Sequence, residues 1–232
     1  LTIIQRDSKF QHHTNGSERI PKVKLKKIFS TPGIYPVISN GFTKNRPPII
    51  VLKELADAGA DLIQLRLKNL PAKEILKMAD EFKELCAKYK IALIINDRPD
   101  IALAVKAEGV HLGQDDLPPD RVAKFAKELF IGTSTHSLEE ALQAEKAGAN
   151  YINIGPIFKT NTKETKTSPL GTKIILEIAR NIKIPFSVTG GIKAEHIELL
   201  LNCGVKRIAM VTEICEAENI RKKFIELNKY FI

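Results

Sequence analysis

The run Gln64-Leu65-Arg66-Leu67-Lys68 closes an apolar stretch of the chain. Side chains alternate along a β-strand, so Gln64, Arg66 and Lys68 project to one side while Leu65 and Leu67 project to the other. One amide and two cations thereby converge. Cations buried without partners are costly, so an anionic ligand is the simpler reading. Asp97 and Asp116 each follow a later apolar run. Two carboxylates with room for water and a substrate phosphate suit Mg²⁺, which rarely takes a closed protein cage. Asp116 has a second role open to it, as the cap of a helix starting near Leu117-Pro118.

Gly190-Gly191 and Val211-Thr212 have the composition of backbone that an anion can approach closely, although paired glycines also serve a plain tight turn. The segment 159–169 is long for a connection and rich in donors, with Thr160, Asn161, Thr162, Lys163, Thr165, Lys166 and Thr167. That is the character of a lid. His111 and His136 stand in neither a Ser-His-Asp order nor a nucleophile elbow, and both read as hydrogen-bonded structural histidines. Paired cations, a divalent ion, phosphate-accepting backbone and no evident nucleophile suit the departure of a pyrophosphate group, in which charge builds on the leaving oxygens.

Bringing these groups together requires a particular architecture. Short β-rich runs near 34–39, 61–66, 91–95, 109–112, 129–133, 150–154, 184–188 and 206–211 alternate with helix-patterned segments near 47–59, 71–89, 99–107, 118–127, 137–147, 171–181, 193–203 and 217–229. Such alternation is the mark of parallel βαβ units. Gly59, Gly148 and Gly204 stand where three of the helices end, as a left-handed position after a helix prefers. Eight units close naturally into a (β/α)8 TIM barrel, whose chemistry sits at the C-terminal ends of the strands. The polar clusters fall at those ends. Ser134, Thr135 and His136 follow the fifth strand, and Asn96 joins Asp97 after the third.

The chain has 232 residues, 44% of them hydrophobic, enough for one barrel. We expect one catalytic domain over 32–232, preceded by a basic extension over 1–31 with no convincing periodicity and therefore loosely ordered. The formal net charge is +9, but residues 1–31 hold seven Lys and Arg against two acids. More than half of the excess thus lies in the extension. The mildly basic body gives no reason to expect a nucleic-acid partner, and a tether from the tail to an anionic partner is the non-enzymatic alternative. No apolar stretch approaches the roughly 18 residues of a membrane span, and the first thirty residues lack the apolar core of a secretory signal. A soluble, cytoplasmic protein is expected, and self-association is left open. The start at Leu1 rather than Met is that of a fragment or an extended reading frame. Cys86, Cys203 and Cys215 are unclustered and read as core filler.

Six segments together resemble the thiamine-phosphate synthase family. They are Gln-Leu-Arg-Leu-Lys at 64–68, Ile-Asn-Asp at 95–97, Gly-Val-His-Leu-Gly-Gln-Asp-Asp at 109–116, Gly-Thr-Ser-Thr-His at 132–136, Gly-Pro-Ile-Phe-Lys-Thr-Asn-Thr-Lys at 155–163 and Gly-Gly-Ile at 190–192. The resemblance runs from about Gly33 to Glu216. It implies an Mg²⁺-dependent transferase that joins an aminopyrimidine methyl diphosphate to a thiazole phosphate, two small phosphorylated partners, with release of pyrophosphate. It assigns the pyrimidine diphosphate to the segment Gln64, Leu65, Arg66, Leu67 and Lys68 with Asn96, Ser134 and Lys163. The metal goes to Asp97 and Asp116, and the thiazole phosphate to Thr160, Asn161, Thr162, Gly191, Val211 and Thr212. Arg66, Lys68, Ser134 and Lys163 would act on the reacting diphosphate. The chain departs from the family pattern at Leu67, Lys159 and Glu213, and a carboxylate at Glu213 repels a phosphate unless directed outward. A thiazole tautomerase relative shares the barrel, but the diphosphate cations and metal aspartates together favour the synthase.

Overall fold

A computed structural model describes residues 19–160 and 168–231. Eight parallel strands form a closed barrel in the order of the sequence. They are β1 (Gly33–Ser39), β2 (Leu62–Arg66), β3 (Ala92–Asn96), β4 (Gly109–Leu112), β5 (Phe130–Thr135), β6 (Tyr151–Ile154), β7 (Phe186–Val188) and β8 (Arg207–Met210). The ring shuts where β1 pairs with β8, Gly33 lying opposite Arg207 and Tyr35 opposite Ala209. Among the described residues ten helices accompany them: α1 (Lys22–Ser30), α2 (Pro48–Asp57), α3 (Ala72–Tyr89), α4 (Pro99–Ala104), α5 (Pro119–Phe125), α6 (Leu138–Lys146), α7 (Lys173–Asn181), α8 (Ile197–Asn202), α9 (Thr212–Cys215) and α10 (Ile220–Asn228). Short 3-10 turns at Ala194–His196 and Lys229–Phe231 complete the described elements.

Each connecting helix starts and stops for local reasons. Proline stands in the first turn of α2, α4 and α5, where its missing N–H costs nothing. Ser137 and Asn219 accept backbone N–H groups at the starts of α6 and α10. Gly59, Gly148 and Gly204 all take positive φ, between 81° and 88°, as the helix-ending reading requires. The one-turn α9 lies directly after β8 and had no signal in the periodicity, because four residues are too few to show one.

Strand alternation divides the apolar residues into two bodies. Ile34, Ile38, Ile63, Leu65, Leu93 and Ile95 face outward into the shell between barrel and helices. Tyr35, Val37, Leu62, Ala92, Ile94, Phe130, Tyr151 and Ala209 face inward and form a separate cluster with Leu25 and Phe29 of α1. Among the described residues no helix is long and apolar enough to cross a membrane. The three cysteines are free thiols. Burial pushes those of Cys86 and Cys215 up to about 12, which suits packing rather than reactivity.

The expected looseness of residues 1–31 is corrected where the chain is described. Residues 22–30 form α1, which closes the floor of the barrel through Leu25 and Phe29, both buried. Its four apolar residues, Val23, Leu25, Ile28 and Phe29, stand among lysines over only nine positions, and Val23 is exposed, so the pattern is too short and too broken to stand out as a periodic one. Polar bonds hold the segment in place. Arg207, only 2% exposed, donates from Nε to the Ile28 carbonyl at 2.8 Å and pairs with both oxygens of Asp61 at 2.9 and 2.5 Å. Glu108 accepts from Lys83 Nζ at 2.6 Å and from the backbone of Leu93 and Ile20. A buried ion survives when its hydrogen-bonding positions are filled in this way. The earlier residues of the extension, 1–18, lie outside the described residues.

Phe29 stacks on Tyr151 with ring centroids 3.9 Å apart, and Tyr151 in turn stacks on Phe130 at 5.7 Å. Gly132 makes room for that ring. A Cβ there would meet two Tyr151 ring atoms at 2.0 Å. Gly132→Ala is therefore expected to cost roughly 1–3 kcal/mol by overpacking. Urea unfolding should show a lower midpoint with unchanged slope, and a midpoint equal to the parent's would refute the tight fit.

Candidate active site

An open cavity lies at the C-terminal mouth of the barrel, and its walls include Gln64, Arg66, Lys68, Asn96, Asp97, His111, Ser134, Thr160 and Val211. The alternation along β2 delivers Gln64 and Arg66 inward. Leu65 and Leu67 belong instead to the outer shell, 1% and 7% exposed. The expected binding run is corrected for their side chains: the pleat turns these away from the cavity, leaving only their backbone to meet a substrate.

Arg66 donates to Ser39 Oγ at 2.9 Å. Burial pulls its guanidinium below the ordinary range, while the nearby Asp97 carboxylate raises it. Lys68 is held by a reciprocal amide clamp, in which Asn40 Nδ2 donates to the Lys68 carbonyl and the Lys68 N–H donates to Asn40 Oδ1, each at 2.9 Å. Its ammonium pairs with Asp97. Ser39 and Asn40 had not been singled out as site residues. Their signal was a polar pair directly after an apolar strand, the same kind of signal that marked the other seven strand ends.

The carboxylates come together as expected. Asp97 adopts φ 60°, a left-handed conformation that aspartate tolerates better than most residues. Its N–H donates to the His111 carbonyl at 2.7 Å, which ties the β3 loop to β4. Asp116 Oδ2 accepts from the Gly113 N–H at 2.6 Å. The helix that follows has Pro118 as its N-cap and no side-chain cap, so Asp116 does not serve as the cap. Burial and a hydrogen-bonding contact with Asp97 push the Asp116 carboxyl above its ordinary value of 3.8. Among the described residues no three His, Cys, Asp or Glu side chains gather as a closed metal cage.

On the opposite side of the mouth, a smaller recess is walled by Thr160, Gly190, Gly191, Val211, Thr212 and Glu213. Gly190 and Gly191 take φ 98° and 63°. A Cβ on Gly191 would strike the Lys159 carbonyl oxygen at 2.2 Å, and one on Gly190 would strike Pro156 at 2.4 Å. These glycines let the turn after β7 lie against the loop after β6, where the Ile157 and Phe158 N–H groups donate to the Thr189 and Gly190 carbonyls at 2.8 and 2.9 Å. Leu170 and Gly171 donate back to Pro156 and Ile157, so both roots of the expected lid are anchored. Asn161, Thr162, Lys163, Thr165, Lys166 and Thr167 lie outside the described residues.

Glu213 is not directed outward, and its charge is compensated instead. Its two oxygens accept from Lys223 at 2.8 Å and Lys193 at 3.0 Å. Burial alone would raise this carboxyl, but the two lysines hold it below the ordinary glutamate value. One carboxylate between two ammonium groups leaves the neighbourhood net positive.

Both histidines are hydrogen-bonded. His136 places its backbone N–H and Nδ1 against Glu140 Oε2, at 2.7 and 2.8 Å. His111 contacts Tyr151 Oη through Nδ1 at 2.9 Å and Ser134 Oγ through Nε2 at 3.0 Å. Tyr35 and Tyr151, beneath the cavity, had not been singled out, because an apolar strand gives no sign of which aromatic residue carries an engaged hydroxyl.

A family model described as thiamine monophosphate synthase matches residues 34–214. The thiamine-phosphate synthase of Halalkalibacterium halodurans is 44% identical over 189 residues, covering 81% of this chain and 90% of the relative. That of Caldicellulosiruptor bescii is 40% identical over 204 residues, covering 88% and 93%. Among solved structures, a thiamine phosphate pyrophosphorylase from Pyrococcus furiosus superimposes with a TM-score of 0.81 at 34% identity, covering 88% of this chain and 97% of that one. The matched region spans the barrel from its first strand to the α9 turn, with every cavity-lining strand inside it, and the chain belongs to the thiamine monophosphate synthase family.

Proposed function

We infer that this chain is a thiamine-phosphate synthase. It joins 4-amino-2-methyl-5-pyrimidinylmethyl diphosphate to a thiazole ethyl phosphate, or its carboxylated form, and releases pyrophosphate. The observation that carries the reading is the meeting of Arg66, Lys68 and Asp97, with Asp116 in hydrogen-bonding contact, at one side of the barrel mouth. The relatives at 40–44% identity support the same activity.

In this reading the bond between the pyrimidine methylene and the diphosphate oxygen breaks with its electron pair going to pyrophosphate. The amino group of the pyrimidine donates electron density to the methylene carbon, and the thiazole nitrogen then uses its lone pair to form the new C–N bond. Arg66 and Lys68 stabilise the charge that develops on the leaving oxygens, and they do so in a half-buried setting where such interactions are strengthened. Gln64, Asn96 and Ser134 orient the pyrimidine diphosphate, with Lys163 assigned to the same substrate. Thr160, Gly191, Val211 and Thr212, together with Asn161 and Thr162, are assigned to the thiazole phosphate. The positive surplus around Glu213 favours an anion in that recess.

Asp97 and Asp116 fit an Mg²⁺ ion. Like charge and burial raise the Asp116 carboxyl, and this is the strain that a shared divalent cation relieves. When bound there, Mg²⁺ would supply positive charge to the diphosphate oxygens while retaining several waters.

Purified protein supplied with both substrates and Mg²⁺ should release pyrophosphate and form thiamine phosphate in equal amounts. Arg66→Ala and Asp97→Asn should each lower kcat by about 10²-fold or more with little change in melting temperature, since asparagine also accepts the left-handed backbone. Parent-like rates in both variants would refute the assignment. Asp116 should also leave a mark on stability in the absence of metal. Its folded pKa exceeds the unfolded value, so the ionised group opposes folding at neutral pH, and the penalty fades as pH falls through the raised pKa toward 3.8. Asp116→Asn should therefore be more stable than the parent at pH 7 (about neutral), with the gap closing in acid. Chemical unfolding across pH reads this directly, and a constant gap would rule it out.

A further inference from the structure

Beneath the cavity runs an unbroken series of polar contacts from one wall to the other. Gln64 Nε2 donates to Tyr35 Oη at 2.8 Å. Tyr35 Oη lies 3.2 Å from Tyr151 Oη, which lies 2.9 Å from His111 Nδ1. His111 Nε2 lies 3.0 Å from Ser134 Oγ. Both tyrosines are 0% exposed, and burial pushes both phenols well up, so each keeps its proton.

Each phenol therefore has one hydrogen to give, and in a buried site leaving it unused is costly. Tyr35 receives from Gln64, so its hydrogen goes to Tyr151. Tyr151, already accepting, gives its own hydrogen to His111 Nδ1. The imidazole proton must then sit on Nε2, where it is donated to Ser134 Oγ. Ser134 is left with its own O–H to direct into the cavity.

We propose that Tyr35 and Tyr151 are positioning residues that fix the direction of this hydrogen-bond chain and thereby commit Ser134 to act as a donor toward the substrate diphosphate. The proposal rests on the synthase reading for the identity of the anion. The chain's direction rests on Gln64 presenting its amide nitrogen to Tyr35. Its opposite, with the Gln64 amide turned over, would send the Ser134 hydrogen to His111 and leave the anion facing a lone pair.

The floor of the barrel protects the arrangement. A water molecule can donate or accept, so its entry would let the chain run either way. Phe29 of α1 and Phe130 both stack against the Tyr151 ring and against each other, and Phe29 also meets Tyr35 edge-on at 5.4 Å. The aromatic floor thus excludes solvent from beneath the cavity.

Histidine-labelled, ligand-free protein at about pH 8.5, where an ordinary imidazole is neutral, tests the direction by nitrogen NMR, with the His111 signal assigned by its loss in His111→Asn. The expected result is a proton on Nε2 and none on Nδ1. Tyr151→Phe keeps the ring stack and removes the link, so His111 should become a mixture of tautomers. In the coupling reaction Tyr151→Phe should lower kcat at least about tenfold, with an unchanged KM for the thiazole phosphate. Tyr35→Phe should act in the same direction. Ser134→Ala and Ser134→Ala/Tyr151→Phe should be equally impaired, because residues acting through one another do not add. A proton on Nδ1 in the parent, an unaffected kcat in Tyr151→Phe, or additive losses would each overturn the proposal. If the parent failed to make thiamine phosphate, the synthase reading would fall, and the tautomer measurement would still decide the direction of the chain.

Discussion

Closing eight parallel strands into a ring sends every second side chain into an interior just wide enough for side chains to fill it, and the rest of this molecule follows from how that space is occupied. The lower part is aromatic and aliphatic, with Phe29, Tyr35, Phe130 and Tyr151 packed together and the Tyr151 ring against Gly132. The upper part is polar, with Gln64, Arg66, Asn96, His111 and Ser134 on neighbouring strands. The change occurs along single strands. In β2, Leu62 packs in the floor, Gln64 meets a tyrosine hydroxyl and Arg66 reaches the cavity. Packing and chemistry are thus successive inward positions of one pleat.

That vertical order decides where charge can be carried. The base of the barrel holds Arg207 with Asp61 and Lys83 with Glu108, and Arg207 and Glu108 each make further hydrogen bonds to backbone groups. The mouth is less complete. Asp116 is raised by burial and by Asp97, and Lys68 is almost half exposed beside Asp97. Groups held away from their electrostatic optimum are common where a ligand is meant to supply the missing charge. Across the mouth, Glu213 shows that an acidic residue beside the recess proposed for the thiazole phosphate is tolerable when two lysines hold it. Its type alone suggests repulsion, and its partners reverse that conclusion.

The barrel itself was legible because its signals are local and repeated: strand runs with period two, helices between them, and glycine at three helix ends. The gathering of the candidate site's residues at one mouth was legible for the same reason, since the polar residues stand directly after apolar strands. The failures have physical causes of their own. Leu65 and Leu67 entered the binding run through the family resemblance, although the alternation along the strand directs their side chains outward. Helix α1 was missed because four apolar residues among lysines in a nine-residue segment carry little periodic signal, yet two of them, Leu25 and Phe29, close the barrel floor.

By itself the sequence determined which residues can carry charge, where strands alternate with helices, and hence that the cations and carboxylates share one rim. These follow from residue type and spacing, which act over a few positions. Only the tertiary structure decided that Asn40 clamps Lys68, that Lys193 and Lys223 neutralise Glu213, and that Tyr35 and Tyr151 link Gln64 to His111 and Ser134. Tyr35 and Tyr151 are 116 residues apart. A hydrogen bond depends on distance and direction in space, and neither is fixed until the ring has closed.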